Sequence, residues 1–264
     1  MPVRALTFGT VAEAYERYRP DYPQPLYDLI TGYAGHPIRT AVEIGAGTGK
    51  ATRLLAANGV TVTATEPDPA MLTELRRHVP PNVTATRAAF EDLTTGDYDL
   101  FYAAAALHWT KPDGRWQRVA SLLAPDGVVA VFGGPLQLTD AGVERAVRSA
   151  RAPFLESDDF PSPDGTGPDA AMQWPGTELE RSPLFTDVRQ HVIERRVTMT
   201  AEGFLGHLST VSAYLELAPA PRAEVFRRIA DVLPETVEVT ADVFVHLARR
   251  SSEKQPAESN PTER

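Results

Sequence analysis

The sequence predicts an α/β protein built on a mostly parallel sheet covered by helices on both faces. Three observations carry that expectation. Short apolar segments alternate with helix-like ones through the first half of the chain. The strand-like segments are largely apolar throughout, as strands buried on both faces must be. The first of them runs straight into a turn with Gly45, Gly47 and Gly49.

Each element follows in order. Thr40 to Gly45 is a short apolar run entering the glycine turn, and Lys50 to Asn58 reads as a helix with Leu54 and Leu55 inward. Val60 to Thr65 alternates with threonines, a strand habit. Asp68 to His78 is helical, with Asp68 as N-cap and Met71, Leu72 and Leu75 on one face. Asn82 to Arg87 and Tyr98 to Ala103 read as strands. Arg115 to Leu123 reads as a helix closed by Pro125-Asp126-Gly127, and Val128 to Phe132 as a fully apolar fifth strand. From Pro135 to about Thr200 strand signals weaken and Pro and Gly cluster. A stretch this long without clear elements is usually functional, and Phe154, Phe160, Met172 and Trp174 favour a packed lid. Strand periodicity returns at Val188 to Val197, helices follow at Glu202 to Leu217 and Arg222 to Leu233, and Thr236 to Ala248 is a last strand. The expected organisation is one domain over residues 1–250, a substrate lid within about 135–220, and a disordered tail at 251–264.

Composition narrows the function. At 264 residues with 42% hydrophobic content, the chain can bury a sizeable core. The formal net charge of -9 argues against non-specific nucleic-acid binding, which needs a basic face. The absence of cysteine excludes disulfides, thiolate zinc sites and cysteine nucleophiles. No apolar stretch follows Met1 as a secretory signal would, and no run approaches the roughly 18 residues of a membrane span. The expectation is a cytoplasmic protein without membrane partners, its oligomeric state left open.

Three nucleotide-type ligands compete for the glycine turn. A dinucleotide fingerprint needs glycine at position 50, where this chain has Lys50. A phosphate-binding loop ending in Gly-Lys needs glycine at 44 and Ser or Thr at 51, where Ile44 and Ala51 stand. An acidic residue followed by Gly-x-Gly-x-Gly is met by Glu43, Gly45, Gly47 and Gly49. Glu66, about 20 residues further on at the end of the second strand, is placed to accept from ribose hydroxyls. Glu66 alone suits a nicotinamide cofactor equally well.

Further stretches join these. They are Tyr15-Glu16-Arg17-Tyr18-Arg19-Pro20-Asp21-Tyr22-Pro23, Thr65-Glu66-Pro67-Asp68-Pro69-Ala70-Met71-Leu72, Phe90-Glu91-Asp92, Ala106-Leu107-His108-Trp109 and Leu122-Leu123-Ala124-Pro125-Asp126-Gly127. With them the chain resembles the class I S-adenosylmethionine-dependent methyltransferases, closest to the bacterial small-molecule group that includes trans-aconitate- and ubiquinone-type enzymes. The resemblance implies a Rossmann-like, doubly wound sheet of seven strands with a reversed last hairpin. It implies S-adenosyl-L-methionine as cofactor. The methionine part would lie against Gly45, Ala46 and Gly47 with Glu43 behind them, Glu66 would hold the ribose beside Pro67 and Met71, and Phe90 and Glu91 would border the adenine. Carbonyls near Ala104 and Ala105 would face the cofactor's amino group, and Tyr15 and Arg19 would cover it. One departure stands out: Ala89 occupies a position where many relatives carry an aspartate for the adenine amino group.

His108, just after the fourth strand at the carboxyl edge of the sheet, is the candidate general base, its ordinary pKa of about 6.5 suiting proton transfer near neutrality. The alternative for His108 and Trp109 is packing. His207 either lines the substrate pocket or is packed, and no histidine pair has metal-ligand spacing, so no metal is expected. The leading function is methyl transfer to an oxygen of a small molecule. The alternatives are a cofactor-fold protein that does not methylate, or a nicotinamide-dependent oxidoreductase.

Overall fold

The computed structural model describes residues 8–157, 161–167 and 169–252. Most of the expected tail at 251–264, and Phe160 of the expected lid, lie outside the described residues.

Among the described residues ten strands form two sheets: β1 (Thr40–Ile44), β2 (Thr61–Thr65), β3 (Val83–Thr86), β4 (Tyr98–Ala104), β5 (Leu123–Gly133), β6 (Gln137–Leu138), β7 (Phe185–Ile193), β8 (Arg196–Thr200), β9 (Thr236–Thr240) and β10 (Val243–Arg250). The large sheet has seven strands in the order β3-β2-β1-β4-β5-β10-β7. Its first five are parallel, and β10 runs antiparallel to both β5 and β7. This is the Rossmann-like, mostly parallel sheet with a reversed last hairpin. Around it stand α1 (Ala12–Tyr18), α2 (Gln24–Ala34), α3 (Lys50–Ala57), α4 (Pro69–His78), α5 (Arg115–Leu122), α6 (Ala141–Arg151), α7 (Gly176–Arg181), α8 (Ala201–Leu208), α9 (Ser212–Leu215) and α10 (Pro219–Val232). Among the described residues, no helix is long and apolar enough to cross a membrane.

Successive strand residues point to opposite faces, so each central strand feeds two cores. Leu100 and Tyr102 of β4, with Val128, Ala130 and Phe132 of β5, pack against Leu26, Ile30, Leu55 and Leu75 on one side. Phe101 and Ala103, with Val129 and Val131, pack against Trp116, Val119 and Leu179 on the other. Asp68 caps α4 as expected, accepting from the Ala70 and Met71 amides, and Pro69 occupies the first turn where its missing N–H costs nothing.

Two expected strands are each divided. The run Val188 to Val197 splits between β7 in the large sheet and β8 in a small one, and Thr236 to Ala248 splits between β9 and β10. The breaks face each other. The Arg195 amide donates to Asp242 Oδ1 at 2.8 Å, and the Ala241 amide donates to the Arg195 carbonyl at 2.7 Å. Apolar alternation continues across the second break, from Val237 and Val239 to Val243 and Val245, so periodicity cannot reveal it; at the first, Glu194-Arg195-Arg196 interrupt the pattern. The small sheet, ordered β6-β9-β8, packs with α6, α8 and α10 around Phe204, Leu208, Tyr214, Val225 and Ile229, a third core beyond the carboxyl end of the large sheet's parallel strands. The expected helix over Glu202 to Leu217 is also interrupted. Ser209 and Thr210 hydroxyls donate to the Gly206 and His207 carbonyls and close the first helix early.

Candidate active site

The glycine turn is built by left-handed backbone. Gly45, Gly47 and Gly49 have φ of 57°, 58° and 90°, values an L side chain resists. A Cβ on Gly45 would lie 2.6 Å from the Ala106 Cβ, whereas one on Gly47 would meet nothing within 4 Å. The turn leads into the first, unpaired N–H groups of α3, which begins at Lys50. Ala105 follows the end of β4 at φ 50°, a strained conformation of the kind that gathers at functional sites.

Behind the turn, Glu43 is fully buried. The Thr52 and Tyr102 hydroxyls both donate to its Oε2, and its Oε1 has no partner among the described residues. Burial pushes its pKa up to about 8, against the pull of those two hydroxyls. Glu66 is also buried. It accepts from the Gly47 amide and from the Asp68 amide, each at 2.9 Å, and burial pushes it up to about 7.

A cavity lies against the glycine turn. Of the expected site residues, Tyr15, Arg19, Glu43, Gly45, Ala46, Gly47 and Ala105 line it together. Glu66 lies one hydrogen bond behind Gly47 rather than in the cavity wall. Pro67, Met71, Phe90 and Glu91 lie off the cavity: Phe90 is buried edge-on to Phe101, Met71 is buried in α4, and Glu91 accepts from the Lys111 amide. His108 and Trp109 lie off it too, in a 3-10 turn with their rings 4.5 Å apart and Trp109 edge-on to Phe8.

The N-terminal segment is clamped over the cavity. Lys50 Nζ lies 3.1 Å from Asp21, and Arg53 lies 2.8 Å from Glu16 and 3.0 Å from Asp21. Arg19 donates to the Thr210 hydroxyl at 2.8 Å and to its carbonyl at 2.9 Å, tying α1 to the segment between α8 and α9. The lining also holds Lys50 at the start of α3 and three residues that motifs did not single out, Leu136, Arg195 and Asp242. It also holds His207, 5% exposed, its Nδ1 sequestered without a partner among the described residues. Burial first and the Arg19 charge second hold this imidazole neutral by pushing its pKa far down.

The site fits S-adenosylmethionine on this structure's own terms. Gly47 leaves side-chain space empty beside the cavity, and Glu43 presents a buried, unpartnered carboxylate oxygen where the cofactor's cationic end would need one.

Comparison with known proteins agrees. Residues 42–129 match the family described as a methyltransferase domain. An uncharacterised methyltransferase of Mycobacterium tuberculosis is 38% identical over 124 residues, covering 47% of this chain and 50% of the relative. A trans-aconitate 2-methyltransferase of Methylobacterium radiotolerans is 32% identical over 142 residues, covering 52% of each chain. The chain thus spans about half the length of these curated relatives. A solved structure from Anaeromyxobacter dehalogenans, described as a candidate type II methyltransferase, superposes with a TM-score of 0.63 at 25% identity, covering 88% of this chain and 98% of its own. Residues 42–129 thus match a methyltransferase domain, and the seven-stranded sheet is shared with a solved structure described as a methyltransferase.

Proposed function

We propose that this chain transfers a methyl group from S-adenosylmethionine to an oxygen of a small molecule, in the cytoplasm and without nucleic acid or membrane as partner. The observation that carries the reading is the cavity enclosed between the glycine turn and the clamped N-terminal segment, with the unpartnered Glu43 oxygen behind it. The cofactor supplies an electrophilic methyl on a sulfonium, whose in-line displacement depends on orientation and exclusion of water. Gly45, Ala46 and Gly47 bring bare backbone against the methionine part, and Glu43 faces its positive charge. Tyr15 and Arg19 close over it, and the Glu66 carboxylate, already fixed by two amides, takes the ribose with Pro67 and Met71 beside it. Phe90 and Glu91 border the adenine. His108 packs on Trp109 and is not among the residues lining the cavity; it remains the candidate base for an acceptor that arrives protonated, while orientation carries the rest of the reading.

Calorimetry with S-adenosylhomocysteine tests the cofactor, and no binding at millimolar ligand overturns the proposal. Glu66→Ala is expected to weaken that binding about tenfold through loss of charge-assisted hydrogen bonds; unchanged affinity refutes the ribose role. A thermal-shift comparison with NAD separates the oxidoreductase alternative. A mass gain of one CH2 in an acceptor separates a methyl transferase from a fold-keeping relative that does not methylate.

A further inference from the structure

Two guanidinium groups line the cavity, those of Arg19 and Arg195. Both are half-buried, and among the described residues neither has a carboxylate within ion-pair distance. Arg19 is bonded to Thr210, and Arg195 donates to the Asp21 carbonyl at 2.6 Å. The other charges nearby cancel or are fewer. Lys50 and Arg53 neutralise Glu16 and Asp21. Glu43, fully buried behind the turn with one oxygen unpartnered among the described residues, is taken up by the cofactor's cationic end in that reading. Asp242 is the remaining carboxylate, with one oxygen on the Arg195 amide. The methyl donor carries a sulfonium and an ammonium against one carboxylate, so its arrival makes the cavity more positive. Its single carboxylate can satisfy Arg19, which sits with Tyr15 over the glycine turn. Arg195 is left, at the break between β7 and β8, where the large sheet hands the chain to the small one. Like Arg19 and Leu136, it also lines a second cavity, whose other walls include Met199 and Gly203.

We propose that Arg195 anchors the acceptor through a carboxylate, making the substrate a small organic anion. The inference rests on the methyl-transfer reading and deepens it. A guanidinium matches a carboxylate with two parallel N–H donors, and in a partly enclosed site the match is stronger than at an exposed surface. His207 suits the same occupant. Its Nδ1 is sequestered, and its Nε2 is neither sequestered nor bonded to protein among the described residues, so the neutral ring turns its remaining nitrogen to the cavity without adding charge. A sequestered N–H without an acceptor is the costlier orphan, which places the proton on Nε2 as a donor. Asp242 sets the opposing charge: it repels the anion that Arg195 attracts.

The test is calorimetry on the full chain saturated with S-adenosylhomocysteine, using succinate, benzoate and octanoate, each against its amide. At least one acid is expected to bind about tenfold tighter than its amide. Arg195→Gln, with each variant titrated at its own saturating S-adenosylhomocysteine, is expected to lower that affinity about tenfold and to remove the preference for acid over amide, with Arg195→Lys intermediate. Asp242→Asn, which keeps an acceptor for the Arg195 amide, is expected to tighten the acid. Acids that bind no better than amides, or a preference for acid over amide that survives in Arg195→Gln, each overturn the anchor. Failure of the wild type to bind S-adenosylhomocysteine overturns the methyltransferase reading instead, so the two failures are distinct.

Discussion

At the scale of single residues, Glu43 carries the strongest electrostatic consequence. Its carboxylate is fully buried, one oxygen is bonded to Thr52 and Tyr102, and the other is bonded to nothing described. Burial raises its pKa from 4.5 to about 8, and the charge of Glu66 works in the same direction. The folded state therefore holds the proton more tightly than the unfolded state. Stability from this group is fully present below the unfolded value and is lost as pH climbs towards about 8. Glu66, raised to about 7, adds to the same slope. Glu43→Gln, which keeps the shape and removes the titration, is expected to flatten the fall in thermal midpoint between about pH 5 and about pH 8. Equal slopes in the two proteins would show that Glu43 does not titrate in that window. Residues of this kind were legible in the sequence because chemistry fixes them to a spacing: an acid before Gly-x-Gly-x-Gly, and a second acid at the next strand end. Arg195 and Asp242 were not legible, because nothing local distinguishes a cavity-lining arginine from a solvated one. His207 was legible only as a choice between pocket and packing.

At the scale of elements, the glycine turn separates folding from binding. Gly45 and Gly47 share nearly the same positive φ, so alanine at either position meets a backbone penalty of about 1–2 kcal/mol. Only at Gly45 does the new methyl also collide, with Ala106 at 2.6 Å. At Gly47 it projects into space that the cofactor reading fills. Gly45→Ala is expected to lose stability by a clear margin over Gly47→Ala in denaturant titrations. Gly47→Ala is expected to lose more affinity for S-adenosylhomocysteine than its stability loss accounts for. The reverse order would mean that the open side of the turn is not the ligand side. The first five strands were readable because β1, β4 and the second half of β5 are short apolar runs and β2 and β3 alternate apolar residues with threonine, between turn residues. The divided strands were not: the break at Ala241 to Asp242 leaves the alternation intact, and the charged run Glu194-Arg195-Arg196 marks the other only once its contacts with Ala241 and Asp242, distant in sequence, are seen. Nor was α6, whose Asp140 cap sits in a stretch where weak strand signals and proline hide a helix with its own apolar side on Val147.

At the scale of the molecule, the cavity exists because three separate parts of the chain close on one another. The parallel strands present their carboxyl ends, the usual ligand edge of an open α/β sheet. The small sheet and its helices stand beyond that edge, and the N-terminal segment crosses between the two. It is tied to α3 by the ion pairs of Glu16 and Asp21 and to the cap by Arg19 on Thr210. Where α1 meets α8, Gly206 lets the helices approach so closely that a Cβ there would lie 2.5 Å from the Tyr18 ring. That contact holds the cover shut without belonging to the large sheet or lining the cavity. Gly206→Ala is therefore expected to push α1 away from α8. Backbone amides of residues 12–18 should then exchange with solvent faster while those of β4 keep their protection, because the large sheet's cores do not include Gly206. Affinity for S-adenosylhomocysteine should fall by about tenfold in parallel, through loss of the Tyr15 and Arg19 cover rather than of the glycine turn. If exchange accelerates over α1 and affinity does not change, the N-terminal segment packs against the cap but plays no part in holding the cofactor.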